Sequence, residues 1–335
     1  MKNVYLIILL VFTVACEDKI EKEDSNDLIF VASEGNYGNS NGSISVFKNN
    51  KKIQTLDAIG DVVQSLTVHE NKLFVVINNS HLIKIFTITS SGLNLPGIDI
   101  NTHNSGPREL VVHNDKAYFT NHYTQDIKIL NLETYYIEGN IKVEGLPESI
   151  ASDGDHLWVA INMNSDYSSA SSVVKINTEY NQIIKTFEVG KGPQQLLINE
   201  NLIWISRTHY SQDFTETFFG TSSINKITDK VMIMEYGTGT VCGGDLMKFE
   251  GLVHRTFDGG IAPLKLDLGI KRLGRIGNFR KEQLYSANAF EGKVYMGITS
   301  DYTAPDTVFV HDSSGDITET FIVDAAPGDF AIWRQ

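Results

Sequence analysis

Seven stretches of this 335-residue chain carry side chains able to grip a large polar molecule. They read Glu34-Gly35-Asn36-Tyr37, Asn78-Asn79, Asn121-His122-Tyr123-Thr124-Gln125-Asp126 and Asn162-Met163-Asn164-Ser165-Asp166-Tyr167. The others are Arg207-Thr208-His209-Tyr210-Ser211-Gln212-Asp213-Phe214, Phe257-Asp258 and Thr299-Ser300-Asp301-Tyr302. Tyrosine presents flat apolar area at small entropic cost and ends in a hydrogen-bonding tip, while amides and an arginine add polar recognition. The binding candidates are Tyr37, His122, Tyr123, Tyr167, Arg207, His209, Tyr210, Phe214 and Tyr302. The plainer reading is decoration, since loops of β proteins are polar and often hold tyrosine.

His122-Tyr123-Thr124-Gln125-Asp126 and His209-Tyr210-Ser211-Gln212-Asp213 are near copies. Two histidines can ligate a metal, but no third ligand stands at metal-site spacing, and duplication of a repeat with its loop explains the pair more cheaply. The segment from Phe214 to Phe219 has three aromatics in a long insertion, the pattern of a lid. Gln64 and Arg108 form a second group of binding candidates, each standing just ahead of a short aliphatic run. Beside them Glu109, Glu148, Asp245 and Asp329 are the carboxylates from which a metal-dependent lactonase or lyase would be built. No Ser-His-Asp order, phosphate loop or CxxC pair is present. The expectation is therefore a binding module with no catalytic residue, no resident metal and no cofactor.

These residues lie in turns of a repeat. A turn, an apolar strand, a short bend and a strand opening on an aromatic recur with a period of about 40 to 45 residues, which announces a β-propeller. Phe30, Phe74, Tyr118, Trp158, Trp204, Val253 and Tyr295 mark the second strands. Inner strands follow Gly or Pro turns, as in Gly106-Pro107, Gly145-Leu146-Pro147 and Gly192-Pro193. The third strands, such as Ile83-Lys84-Ile85-Phe86, alternate with period two. Each repeat reads as four strands, with the sixth weakest, because Gly251-Leu252-Val253-His254 lacks the aromatic. Leu28 to Leu56 supplies three strands of a blade, and Pro327 to Trp333 has the pattern of the missing innermost one. Pairing them gives an all-β, seven-bladed propeller as one domain over 28–335, with no open edge.

The first residues, Met1-Lys2-Asn3, an apolar run from Val4 to Thr13 and small Ala15, have the layout of a secretory signal over 1–15. Thr13-Val14-Ala15-Cys16 resembles the bacterial lipobox, which implies lipidation of Cys16 and a membrane anchor. Residues 16–27 are a charged tether with too little apolar surface to fold. Acidic residues directly after such a cysteine resemble the export signal of surface lipoproteins, pointing to the outer membrane facing the cell exterior. Only Cys242 remains as a second cysteine, so no disulfide framework is available. The formal net charge of −13 argues against a nucleic-acid partner.

The recurring Gly-x-Pro before an aliphatic strand, followed by the aromatic strand, resembles the YncE-like propellers. Phe30-Val31-Ala32-Ser33-Glu34-Gly35-Asn36-Tyr37-Gly38 with Asn41-Gly42-Ser43-Ile44-Ser45-Val46 resembles their surface-lipoprotein branch. That resemblance covers about 28–333 and implies capture of a nutrient, a corrinoid or an iron–siderophore complex, for a TonB-dependent transporter. A protein-interaction platform at the cell surface is the third reading.

Overall fold

The computed structural model describes residues 26–239 and 244–335. The expected leader over 1–15, Cys16, most of the expected tether and Cys242 lie outside the described residues. Seven antiparallel sheets follow one another around a ring. In blade two the strands are Val63–His69, Lys72–Ile77, Leu82–Thr89 and Ile98–Asn101, with a short hairpin at Gly92–Leu93 added to the third. Pro327–Trp333 pairs with Leu28–Ser33, Leu28 facing Trp333 and Phe30 facing Ala331, so the last strand of the chain is the innermost of blade one.

Each pair of neighbouring blades encloses its own apolar cluster, which is why the repeats need one another. Phe30, Leu56 and Trp333 of blade one meet Leu66, Val75 and Phe86 of blade two, and Tyr295 and Val308 of blade seven meet Val31 and Phe330 of blade one. The strands are packed on both faces, so β-branched and aromatic residues fill both sides of the pleat. Gly192, at φ +65, shows why glycine opens an inner strand: a Cβ there would lie 1.9 Å from the Thr208 carbonyl oxygen.

Blade six departs from the expected four strands. It has three, Leu246–Phe249, Leu252–Phe257 and Gly260–Pro263, and where a fourth would run the segment makes only isolated bridges, Ile261 with Ile276 and Leu264 with Ile270. Val253 is also not the equivalent of the aromatic marker. Tyr118 faces Val111, two residues past Glu109, and Trp204 faces Leu197, two past Gln195. In blade six the residue two past Asp245 is Met247, and it faces His254. A shift of one residue turns a side chain to the opposite face of the sheet. Val253 accordingly packs toward blade five with Trp204, while His254 takes the aromatic place, edge-on to Phe249 at 5.5 Å.

Candidate functional site

The turns before the inner strands and those between second and third strands meet on one face, where a funnel of about 580 Å³ opens among Glu34, Gln64, Arg108, Glu109, Glu148, Gln194, Asp245, Tyr285 and Asp329. Arg108 is the hub of its wall. Nε donates to Glu148 Oε1 at 3.0 Å and Nη1 to Gln64 Oε1 at 2.6 Å, while His122 Nε2 lies 2.8 Å from the other Glu148 oxygen. Burial opposes ionisation of Glu148, yet Arg108 and His122 hold its carboxyl down to about 2.

The residue after each of these positions reaches forward to the next blade. Asp329 Oδ2 accepts from Leu66 N (2.8 Å), Ser65 Oγ donates to the Arg108 carbonyl (3.0 Å), and Glu109 Oε2 accepts from Ile150 N (3.0 Å). Ser149 Oγ accepts from Leu196 N (3.2 Å), Gln195 Oε1 from Leu246 N, and Asp245 Oδ2 from Ala287 N (2.7 Å). Ser286 Oγ completes the circle by donating to the Pro327 carbonyl. Each blade is thereby clasped to its successor. Glu109, Asp245 and Asp329 retain some access from the funnel but are enclosed by the ring, and burial pushes each carboxyl up to about 7 against the amide hydrogen bonds it accepts. Burial likewise raises Glu34.

Around the funnel stand aromatic side chains that the fold leaves open. Tyr37, Tyr123, Tyr167, Tyr210, Phe214 and Tyr302 are between 44% and 77% exposed, far above the aromatics of the core. Tyr37 and Tyr210 border the funnel itself. Tyr167, Tyr210 and Phe214 also line a cleft of about 430 Å³ between blades four and five, so Tyr210 joins cleft to funnel. Tyr123 packs edge-on to His81, and Tyr302 edge-on to Tyr285 of the funnel wall.

Three of these aromatics share a motif not extracted from the sequence: Asp166-Tyr167-Ser168, Asp213-Phe214-Thr215 and Asp301-Tyr302-Thr303. In each, the aspartate Oδ1 accepts both the backbone N–H and the hydroxyl of the Ser or Thr two residues on. The middle aromatic is thereby held at φ +66, +58 and +61 respectively. A left-handed backbone at a bulky residue costs on the order of 1–3 kcal/mol and persists only where its surroundings enforce it. Hydrogen bonds lower all three aspartates, Asp213 to about 2. The spacing Asp-aromatic-Ser/Thr, repeated in blades four, five and seven, was the available signal.

Two candidates take other places. Arg207 is fully buried rather than on the rim, its Nη1 paired with Glu235 and its Nη2 donating to the Met234 carbonyl. Gly220 leaves room for it, since a Cβ there would sit 2.3 Å from Nη2. His209 is half-buried and stacks on Phe218 at 5.3 Å. The expected lid is instead a hairpin: Leu202–Tyr210 and Thr217–Asn225 pair as far as Tyr210 with Thr217, Phe219 is buried, and Phe214 alone of the three aromatics is presented. Among the described residues the one cluster with metal-ligand proximity is Asp153, Asp155 and His156. It lies in the turn between first and second strands of blade four, on the opposite face from the funnel.

The sequence matches no protein-family model and no curated protein. Solved structures share its architecture at low identity. A hypothetical selenium-binding protein from Sulfolobus tokodaii is 10% identical with a TM-score of 0.67, over 93% of this chain and 94% of that one. A functionally unknown protein from Desulfotomaculum acetoxidans is 12% identical with a TM-score of 0.63, over 92% and 99%. Citrobacter koseri AztD is 10% identical with a TM-score of 0.58, over 92% and 98%. These likenesses establish the propeller fold, and the chain is a seven-bladed β-propeller closed by its C-terminal strand.

Proposed function

We propose that the rim face binds a small-molecule ligand and holds it without turnover. The carrying observation is the set of exposed aromatics around the funnel, three of them in an enforced left-handed backbone. A funnel of about 580 Å³ is of the size of small-ligand sites, and Tyr37, Tyr210 and Tyr285 give its otherwise polar lining an aromatic part. In this reading the chain is an outer-membrane lipoprotein anchored through Cys16 and facing the exterior. Its ligand is a corrinoid or a ferric siderophore, passed to a TonB-dependent transporter. The carboxylates of the mouth favour binding over hydrolysis, because Glu109, Asp245 and Asp329 clasp neighbouring blades and Glu148 is held by Arg108.

The test is calorimetric titration of the purified protein with cobalamin and with a ferric siderophore. Saturable binding to one of them is expected, weakened about tenfold or more by Tyr210→Ala, as for a central aromatic contact, with the ligand recovered unchanged. Absence of binding to both, or binding indifferent to Tyr210→Ala with Phe214→Ala, overturns the proposal. Recovery of a chemically altered ligand would instead favour the lactonase or lyase reading.

A further inference from the structure

A second cavity, of about 270 Å³, caps blade six on the rim face, where residues 264–283 wander in place of a regular fourth strand. Phe219, Tyr236, Phe257 and Leu284 wall it, Thr256 lies in its lining, and Arg272 and Lys281 stand at its edge. It shares no lining residue with the funnel.

Arg255 is packed against this wall and fully buried. Its guanidinium carbon lies 5.3 Å from the ring centre of Phe219 and 5.3 Å from that of Tyr236. Nη1 donates to Thr221 Oγ1 and to the Gly220 carbonyl, and Nε donates to the Thr256 carbonyl. Nη2 has no acceptor in good hydrogen-bond geometry, the Tyr236 hydroxyl being the polar group that supports the guanidinium, and the buried Thr256 Oγ1 also lacks a partner. Arg207, on the other side of Gly220, has Glu235 as its counter-ion. Arg255 has no ion-pair partner among the described residues, and burial pulls it down to about 10. The Asp245 carboxylate favours its charge only from beyond ion-pair distance, and a buried charge with no anion in contact is heavily penalised. The cavity beside it is also cationic, because Arg275 pairs with Asp258 at 2.7 Å and leaves Arg272 and Lys281 to set the local sign. On a chain of net charge −13 this is a local reversal.

We propose that this cavity binds a small organic carboxylate, its charge in the field of Arg255, Arg272 and Lys281 and its apolar part against Phe219 and Phe257. Aromatic walls and a volume at the small end of ligand sites suit such an anion better than a bare inorganic ion or a large nutrient. The cavity is independent of the rim reading and does not require it.

The probe is benzoate, titrated calorimetrically into the purified protein, with benzyl alcohol as its neutral counterpart. Saturable benzoate binding and a raised Tm are expected, with no saturation by benzyl alcohol. Arg272→Ala with Lys281→Ala changes exposed side chains, so the variant should melt like the parent without ligand and bind benzoate roughly tenfold or more weakly, the scale of lost charge-assisted hydrogen bonds. Tyr210→Ala should bind benzoate like the parent, which separates this site from the rim. The proposal is overturned by a lack of saturable benzoate binding, by equal binding of benzyl alcohol, or by undiminished binding in the double variant.

Discussion

The funnel wall and the aromatic rim share one face of the ring and treat their side chains in opposite ways. In the wall nearly every polar group is engaged by another blade: Asp329 with Leu66, Glu109 with Ile150, Asp245 with Ala287, Arg108 with Glu148. On the rim Tyr167, Phe214 and Tyr302 project outward on strained turns. Titratable residues gathered at the axis thus serve as joints, and the proposed ligand contacts fall on the exposed rings around them. If this contrast holds, changes to the wall should be read in stability and changes to the rim in binding.

The largest effect should come from the last link of the wall. Deleting residues 327–335 removes Asp329, Phe330 and Trp333 and leaves Leu28–Ser33 without its inner neighbour. Truncating buried Phe or Trp costs about 3–5 kcal/mol each, against a total of about 5–15 kcal/mol. An aggregated or unfolded chain is expected by circular dichroism, whereas deletion of 17–26 should leave the melt unchanged. A C-terminal deletion that melts like the parent would refute closure by this strand.

A smaller effect follows from the raised carboxyls. Glu109, Asp245 and Asp329 have folded pKa values of about 7, above their unfolded values near 4. The folded state then holds protons that the unfolded state has released. Their stabilisation is complete below about pH 4 and is lost as pH rises from there through about 7. Glu148, depressed to about 2, acts oppositely, contributing above about pH 4 and failing below it. The Tm should therefore peak in mildly acid solution and fall by a few degrees toward pH 8, and Asp329→Asn should flatten that fall. A Tm rising from pH 5 to 8 would show that these groups are not buried in the way the clasps require.

The smallest effect should come from the rim and have mixed sign. Phe214→Gly relieves a left-handed backbone and should stabilise the protein by up to about 1 kcal/mol while weakening any ligand seated between Tyr167 and Tyr210. A loss of stability in Phe214→Gly would show that the ring packs for the fold and not for a partner.

Much of this was legible in the residues. Period and marker aromatics gave seven blades, and the orphan Pro327 to Trp333 gave the closure, because strand alternation and a missing first strand are local patterns. The mouth residues Gln64 and Arg108 were identified by their place ahead of inner strands, and the exposed tyrosines by composition of the turns. What escaped depends on register or on pairing across blades. Val253 and His254 differ by one position, which no apolar count resolves. Arg207 reads as a rim arginine until Glu235, on the outermost strand of the same blade, is seen to claim it. The clasps join residues about 40 or more apart, so Glu109 alone gives no sign that Ile150 needs it.

The link between Asp329 and Leu66 spans 263 residues of chain. At synthesis rates of about 5–20 residues per second, the strand Leu28–Ser33 waits roughly 15–60 s for its neighbour to be made. During that interval a ribbon rich in isoleucine, phenylalanine and valine has an unpaired backbone edge. The edge of that ribbon is covered only when Pro327–Trp333 arrives, so closure of the ring is a late event of synthesis.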